Sequence, residues 1–266
     1  MPKKTDGPAT VLLPIRLPIV KIGEPLDRVV LSALKRRELR LGRGDVVAVA
    51  SKVVSTCESR MQKLSEVRVT RAAEQISRKW ALDQRLATIV LSEADQVLGG
   101  VPGFLLTTKN RILTANAGVD LKNSPPGNAI LWPKNADSSA LHLRESLERN
   151  YGVRVAVIVV DSRVTPMRLG TIGLAIGASG LLAVRDWRGA PDLHGRRIAV
   201  TQTNVIDDLA ASAHLLMGEA SERIGLVIAR NAPVRLRSAD TSRKASLNPN
   251  RCLITRNIIS VERVKV

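Results

Sequence analysis

The sequence predicts a mixed α/β fold, with aliphatic mixed sheets and flanking helices arranged as two intertwined subdomains. Continuous aliphatic runs, such as 155–160 and 225–230, are typical of strands that are buried on both faces. Segments with helical spacing alternate with these runs along the chain. Aromatic residues make up only 2% of the 266 residues, so the core must consist mainly of Val, Ile, Leu and Ala.

The first half of the domain begins with a strand predicted at 11–15 and a helix predicted over 27–40. A short buried strand at 45–50 then leads into Ser51–Ser55, which is predicted to be a polar loop. Helical spacing predicts one long helix over 70–94, with an apolar face.

The middle of the chain predicts paired strands at 103–108 and 112–115, with Asn110 in the turn between them. A loop rich in Asn, Gly and Pro follows and contains Asp120. A helix is then expected to begin near Asp137 and to end at Tyr151 and Gly152.

The most informative stretch begins with the apolar run 155–160, which is predicted to be a buried strand that ends at Asp161 and Ser162. A carboxylate at the carboxyl end of such a strand is a common ligand for a metal or a phosphate. We therefore expect Asp161 to mark the active site. The glycine-rich segment that follows, 170–180, is interpreted as structural, because glycines let the backbone pack closely.

The remaining elements are a short strand at 198–201, a helix at 204–217 and a strand at 225–230. A final strand-like segment is predicted at 252–266. We divide the chain into one domain over 10–235 and a basic C-terminal extension over 236–266, which we expect to pack on the same domain.

The formal net charge of +17 allows two kinds of anionic partner. A basic protein can bind nucleic acid, but the charges are spread along this chain and aromatic side chains for base stacking are scarce. The other kind is the phosphorylated or acidic substrate of an enzyme, attracted by a positive field. A third interpretation of the charge is a generally basic proteome. The longest apolar run, 172–184, is too short to span a bilayer. Without a recognisable signal peptide, we expect a cytoplasmic protein with no membrane partner.

Sequence motifs exclude several kinds of site. Cys57 and Cys252 stand alone, so a zinc site of paired cysteines is excluded. The chain has neither GxxxxGK[ST] nor GxGxxG directly after a strand. Any bound nucleotide must therefore use a different cradle.

Several segments, in order, resemble motifs of the coenzyme F420 gamma-glutamyl ligases, also called F420-0:L-glutamate ligases. The family motifs read approximately GLP, TSKVVSKAEG, NAGVDxSN, DTFGRPWRxG, VAIGxAGL and DELAxxAxLxMGE. This chain has RLP, ASKVVSTCES, NAGVDLKN, DSRVTPMRLG, LAIGASGL and DDLAASAHLLMGE. The resemblance extends from about Leu12 to Arg230.

The resemblance implies a GTP-dependent ligase that joins L-glutamate to the carboxylate of the deazaflavin precursor F420-0 through an acyl phosphate. It implies two divalent ions, Mg or Mn, with K as a further candidate ion, and a homodimer. The implied metal ligands are Asp120, Asp161, Ser162 and Glu219. Asp161 and Arg168 are the implied catalytic residues, although a structural ion pair is an equal alternative for Arg168.

The resemblance also implies a set of nucleotide contacts, which come from four separate motifs. They are Arg16, Leu17, Pro18, Ser51, Lys52, Asn123, Met217, Gly218, Glu219, Ala220, Ser221, Glu222, Arg223 and Ile224. The carboxylates and the hydroxyl implied as metal ligands are hard oxygen donors, which suit Mg or Mn better than zinc.

Three departures from the family motifs leave the acceptor open. Thr56 replaces a lysine, Arg16 replaces a glycine, and the loop at 163–167 lacks the family's Gly, Arg and aromatic residue. Two alternatives therefore remain. One is an amide ligase with a different acid acceptor, and the other is a non-catalytic basic relative that binds nucleic acid.

Overall fold

The computed structural model of the protein describes residues 8–238 and 241–258, and these confirm the mixed α/β class. The helices are α1 Leu26–Arg36, α2 Ser51–Cys57, α3 Arg71–Trp80, α4 Gln84–Glu93, α5 Ala136–Tyr151, α6 Val205–Met217 and α7 Leu253–Ile258. The strands are β1 Val11–Arg16, β2 Val46–Ala50, β3 Met61–Lys63, β4 Gln96–Val101, β5 Phe104–Lys109, β6 Ile112–Ala115, β7 Asn128–Ile130, β8 Ala156–Val164, β9 Thr171–Leu181, β10 Val184–Asp186, β11 Gln202–Asn204, β12 Ile224–Arg230 and β13 Leu236–Arg237.

The main sheet has the strand order β1-β12-β2-β8-β9-β13. Its central pair, β2 and β8, is parallel, and the other neighbours are antiparallel. The parallel ladder ends where Ala50 pairs with Val160. Because helices cover both faces of the sheet, these two strands are aliphatic on both sides, as the unbroken apolar runs predict.

Two hydrophobic clusters enclose the main sheet. On one face, Leu34 of α1 and Leu147 of α5 pack with Val157 of β8. On the other face, Ile206 and Ala210 of α6 pack against the opposite side of the same strands. The buried faces of three helices thus hold the sheet in place, and the cores are almost entirely aliphatic.

The glycines of β9 allow helices to approach its backbone, which confirms their structural interpretation. A Cβ atom at Gly173 would lie 2.3 Å from the main-chain oxygen of Ala210 in α6. A Cβ atom at Gly177 would lie 2.4 Å from the main-chain carbonyl of Ala136 in α5. Separations this short exclude any side chain at these positions unless the backbone moves.

A second unit lies in the chain between β2 and β8. Strands β4, β5 and β6 form an antiparallel sheet, which packs with α3 and α4 around a third hydrophobic cluster. The single helix predicted over 70–94 is wrong, because Ala81 adopts a left-handed conformation (φ 48°) and Asp83 caps a new helix. Strand β4 was not predicted.

Four other predicted boundaries are wrong. Ser51–Ser55 is helical because it begins α2 directly after β2, and α1 ends at Arg36 instead of residue 40. The strand expected at 198–201 lies instead at Gln202–Asn204, where it pairs with β10. The residues of the predicted final strand that the structure describes include helix α7, and 259–266 lie outside the described residues.

The start of the C-terminal extension contacts the main sheet. Leu236 and Arg237 of β13 pair with Leu181 and Gly180 of β9. The hydroxyl of Ser242 donates to the main-chain oxygen of Ile176 at 3.4 Å. In the described ranges, no helix is both long and apolar enough to span a membrane.

Candidate active site

Asp161 lies on β8 directly after the parallel ladder with β2, and the strand continues beyond it to Val164. The prediction that this strand ends at Asp161 is therefore wrong, because β9 continues to pair with it. Ser51, the first residue of α2, follows the other strand of the parallel pair. The parallel register thus places Ser51 beside Asp161, and its hydroxyl donates to Oδ1 at 2.6 Å.

Trp132 holds the other oxygen of Asp161, with its indole Nε1 donating to Oδ2 at 2.6 Å. Burial raises the pKa of the Asp161 carboxyl above its usual range. The hydrogen bonds from Ser51 and Trp132 and the charge of Lys52 act in the opposite direction but do not outweigh burial. The carboxyl is thus held in one orientation in a partly dehydrated setting.

Trp132 is itself fixed from two sides. Gly118 has φ +73°, and a Cβ atom there would lie 2.2 Å from the indole ring, so the ring packs directly on the backbone of the NAGVD segment. Arg60 Nε donates to the main-chain oxygen of Trp132 at 3.0 Å, and its Nη2 lies 2.7 Å from a carboxylate oxygen of Glu93. Lys109 of β5 bonds the same oxygen of Glu93. The second unit therefore supports the residue that orients Asp161.

Asp120 lies in the loop after β6 and is fixed by a two-way backbone bridge with Ile130. Lys52 Nζ lies 2.5 Å from Asp120 Oδ2 and also donates to the main-chain oxygen of Lys122 at 3.0 Å. The main-chain N–H of Lys122 donates to the other carboxylate oxygen at 2.9 Å. Asp120 thus belongs to the same cluster as Ser51, Lys52 and Asp161.

Glu219 follows α6 and receives three side-chain contacts. Lys122 Nζ lies 2.5 Å from Oε2, and Thr171 Oγ1 donates to Oε1 at 2.8 Å. His214 Nε2 is also 2.8 Å from Oε1. Partial burial acts to raise the pKa of Glu219, but these three contacts outweigh it and lower the pKa to about 2. Glu219 is therefore an anion at neutral pH.

The loop of Asp120 and the loop of Glu219 are in direct contact. Besides the pair formed by Lys122 and Glu219, Asn123 Nδ2 donates to the main-chain oxygen of Ala220 at 3.0 Å. The hydrogen bond that Lys122 donates to Glu219 is the main cause that raises the pKa of Lys122. The segments with NAGVD and MGE thus meet although they are far apart in sequence.

Two cavities meet at this cluster. The larger has a volume of about 710 Å³ and the smaller about 550 Å³. Both are lined by Ser51, Lys52, Asp161 and Ser162, so these residues form a shared wall. Asp120 lines only the smaller cavity, and Glu219 lines only the larger.

The larger cavity is lined by residues from all four motifs that the resemblance assigns to the nucleotide. These residues are Leu17, Pro18, Ser51, Lys52, Asn123, Met217, Gly218, Glu219, Ala220, Ser221, Arg223 and Ile224.

Two of the predicted nucleotide contacts lie outside this lining. Arg16 is exposed on β1, where it pairs with Ile224. The Glu222 carboxylate accepts from the main-chain N–H of Ala220 at 2.8 Å and thereby shapes the turn.

Arg168 is separated from this cluster. It lies in the exposed loop of the hairpin formed by β8 and β9, between the exposed side chains of Met167 and Leu169. Its side chain lines neither of the two cavities. Ser162, by contrast, is half-buried on β8 and lines both.

The donors agree in kind with a hard divalent cation, because carboxylate and hydroxyl oxygens are the usual ligands of Mg and Mn. The described residues contain no group of three or more His, Cys, Asp or Glu side chains arranged to hold a metal ion. The ammonium groups of Lys52 and Lys122 contact Asp120 and Glu219 instead.

Sequence reasoning missed four side chains of the site, namely Lys122, Trp132, Thr171 and His214. Lys122 and His214 lie inside recognisable motifs, and their proximity to Asp120 and Glu219 in sequence could have indicated them. Trp132 and Thr171 carry no such signal, because only tertiary packing brings Trp132 to Asp161 and Thr171 of β9 to Glu219 after α6.

Comparison with known proteins shows the family of the chain. The sequence profile of the family described as F420-0:Gamma-glutamyl ligase matches residues 14–231. A protein of Methanopyrus kandleri named Coenzyme F420:L-glutamate ligase is 37% identical over 236 residues, which cover 86% of this chain and 94% of that protein. Proteins of the same name from Methanocaldococcus jannaschii and Archaeoglobus fulgidus are each 36% identical. These alignments cover 83% and 82% of this chain and 87% and 86% of the relatives.

These matches define the class of the protein, which is that of the amide-forming ligases. Within that class, the chain belongs to the F420-0:gamma-glutamyl ligase family.

Proposed function

We propose that this protein joins L-glutamate to the carboxylate of F420-0 through an amide bond, with GTP as the phosphoryl donor. The observation that carries the proposal is the pair of cavities that share a wall of Ser51, Lys52, Asp161 and Ser162. Phosphoryl transfer between two substrates requires that both reach the same group of charged side chains. The family's description supplies the acceptor, F420-0, and the relatives' names supply L-glutamate.

In this proposal the larger cavity holds GTP, with the terminal phosphate at the shared wall. Lys52 provides a cation there, and Asn123 and the turn at 217–224 supply further polar contacts. The smaller cavity holds the acid acceptor, with its carboxylate facing the same wall. Lys52 thus lies where it can attract both anions and offset the charge that develops between them.

The acceptor carboxylate attacks the terminal phosphate of GTP, which yields an acyl phosphate and GDP. The amine of glutamate then attacks the acyl carbon, phosphate leaves, and the nitrogen gives up a proton to water as the amide forms. Asp120, Asp161, Ser162 and Glu219 would hold the divalent ions, Mg or Mn, which when bound supply positive charge to the phosphates. Ser51 and Trp132 keep Asp161 in a single orientation. Arg168 has no part in this mechanism, because its side chain lies outside both cavities.

The proposal includes a homodimer. The hairpin between β8 and β9 exposes Met167 and Leu169 completely, and Leu193 is also fully exposed. Apolar side chains exposed to this degree support contact with a second copy of the chain.

A second acceptor is a candidate because the altered loop reaches the site. Arg163 and Val164, the first residues of the segment that departs from the family motif, line the smaller cavity. A change in that lining changes the acid that fits, while the nucleotide cavity is unaffected. An amide ligase with a different acid acceptor is therefore the alternative within the same reaction class.

The test is a reaction of purified protein with GTP, Mn, L-glutamate and F420-0, followed by mass spectrometry of the product and by GDP release. A glutamylated product supports the proposal. If F420-0 of verified competence yields none, the standard acceptor is wrong. Replacement of GTP by ATP and of F420-0 by a panel of other acids then identifies the substrates.

Metal binding is tested separately by calorimetric titration with Mn. Asp120→Asn should weaken binding at least tenfold, because it removes one charged ligand. Glu145→Gln is the control, since this exposed carboxylate on α5 lies away from both cavities. Equal Mn binding by wild type and Asp120→Asn would show that Asp120 is not a metal ligand.

A further inference from the structure

The smaller cavity changes in chemical character from one wall to the other. The wall shared with the larger cavity carries a lysine, a carboxylate and two hydroxyls. The remaining lining includes Leu86, Phe104, Val119 and Leu131, all apolar and contributed by the second unit or the segment beside it. Such a cavity suits a ligand with an anionic end and an apolar body. Its volume of about 550 Å³ is within the range of small-molecule sites.

Phe104 is the only phenylalanine in the chain, and 57% of its surface is exposed. It is the first residue of β5, lines the smaller cavity and does not line the larger one. An aromatic ring left uncovered beside a cavity gains apolar burial when a flat ligand covers it.

The backbone beneath Phe104 is firmly held. Val101 pairs with Phe104 across a two-residue turn, and the N–H of Gly103 donates to the main-chain oxygen of Trp80 at 2.7 Å. A Cβ atom at Gly100 would lie 2.5 Å from the main-chain oxygen of Phe104, which shows how closely the two strands approach. The ring is therefore presented from a fixed turn, and little ordering is needed when a ligand binds.

We infer that Phe104 binds the flat heteroaromatic ring of the acid acceptor, so that the β4–β5 turn determines acceptor specificity. This inference rests on the proposed function, because it places the acceptor in the smaller cavity. The acid end of the acceptor faces Lys52 at the shared wall, and its ring lies against Phe104. The second unit thus recognises the body of the acceptor, whereas the main sheet carries the reacting groups.

The experiment titrates the protein with F420-0 in the presence of GDP and follows the fluorescence of the deazaflavin ring. Phe104→Ala should weaken binding about tenfold, and Phe104→Tyr, which keeps a flat ring, should bind nearly as well as wild type. Val101→Ala is the matched control, because Val101 lies opposite on the same turn, is 59% exposed and does not line the cavity. In ligation assays, Phe104→Ala should raise the KM of F420-0 and leave the KM of GTP and glutamate unchanged.

The outcomes separate this inference from the proposed function. Equal ring binding by wild type and Phe104→Ala overturns the inference, as does a wild type that does not bind the ring. So does a rise in the KM of GTP or glutamate alone. If the wild type still forms product in any of these cases, the proposed function stands and only the inference about Phe104 is wrong. Conversely, if the ring binds in a Phe104-dependent way but no product forms, the inference about the ring site stands and the proposed ligase function is wrong.

Discussion

Removal of the negative charge of Glu93 should destabilise the protein, because this carboxylate joins two cations in a poorly hydrated cluster. Arg60 Nη2 lies 2.7 Å from Glu93 Oε2, and Lys109 Nζ bonds the same oxygen. The side chains of Arg60, Glu93 and Lys109 are 27%, 16% and 9% exposed. Glu93→Gln keeps the shape of the side chain but leaves both cations without their carboxylate.

The expected loss of unfolding free energy in Glu93→Gln follows from the burial of Lys109. Loss of one partner from a buried ion pair costs about 3–5 kcal/mol. The glutamine carbonyl still accepts a hydrogen bond, so we expect the lower end of this range, about 3 kcal/mol. For a chain of this size, that loss corresponds to a decrease in Tm of about 6–12 °C. Arg60 also holds Trp132, so the acidic cluster at Asp161 should loosen and kcat should fall.

Urea unfolding and thermal melting measure this effect, with Glu66→Gln as the control. Glu66 pairs with Lys63 at 3.5 Å, but these side chains are 71% and 60% exposed, so the expected loss is below about 0.5 kcal/mol. If Glu93→Gln loses no more stability than Glu66→Gln, the argument from burial is refuted.

The pH dependence of the unfolding free energy provides an independent test of the role of Glu93. Burial acts to raise the pKa of Glu93, but the hydrogen bonds and charges of Lys109 and Arg60 outweigh it, and the net pKa is lowered from 4.5. Its contribution to stability is therefore complete above the ordinary pKa and is lost as the pH falls through the lowered value. The difference between wild type and Glu93→Gln should narrow in acid and persist at neutral pH.

Three further predictions concern packing and the carboxylate cluster. Gly177→Ala should lower the unfolding free energy by about 2–3 kcal/mol in urea titrations, because the new methyl group meets a main-chain carbonyl of α5. Trp132→Phe removes a donor from the Asp161 carboxylate, so the pKa of Asp161 should rise further and the acidic limb of kcat/KM should move to higher pH. Trp187→Phe is its control, since that indole donates to Thr203 in a solvent-exposed hydrogen bond, and equal pH profiles would contradict the role of Trp132. Glu219→Gln should weaken GTP binding about tenfold in calorimetry with Mn, and unchanged binding would exclude it from the nucleotide site.

Elements were predicted correctly where neighbouring residues in the sequence determine the local structure. The aliphatic runs that became β2, β8 and β12 were predicted because a buried strand needs apolar residues on both faces. The break between α3 and α4 was missed because Ala81 is not a residue that usually takes a left-handed conformation.

The site was predictable only where motifs carried it. Asp120, Asp161 and Glu219 are recognisable from their segments, and the structure brings these segments together through Lys52 and Lys122. The metal ligands and the nucleotide contacts stay predictions. The catalytic role of Arg168 also stays a prediction, and its side chain lines neither of the two cavities.

The sequence by itself determined the class of the fold, the aliphatic core, the close packing at the glycines of β9 and the segments that carry the carboxylates. The first three properties follow from local composition and spacing, whereas the resemblance to the family motifs indicated the segments that carry the carboxylates. Only the tertiary structure decided that Ser51 lies beside Asp161, that Trp132 orients it, and that two cavities share one wall. The physical reason is that the parallel register of β2 and β8 and the packing of the second unit join residues up to 110 positions apart, for which neighbouring residues carry no signal.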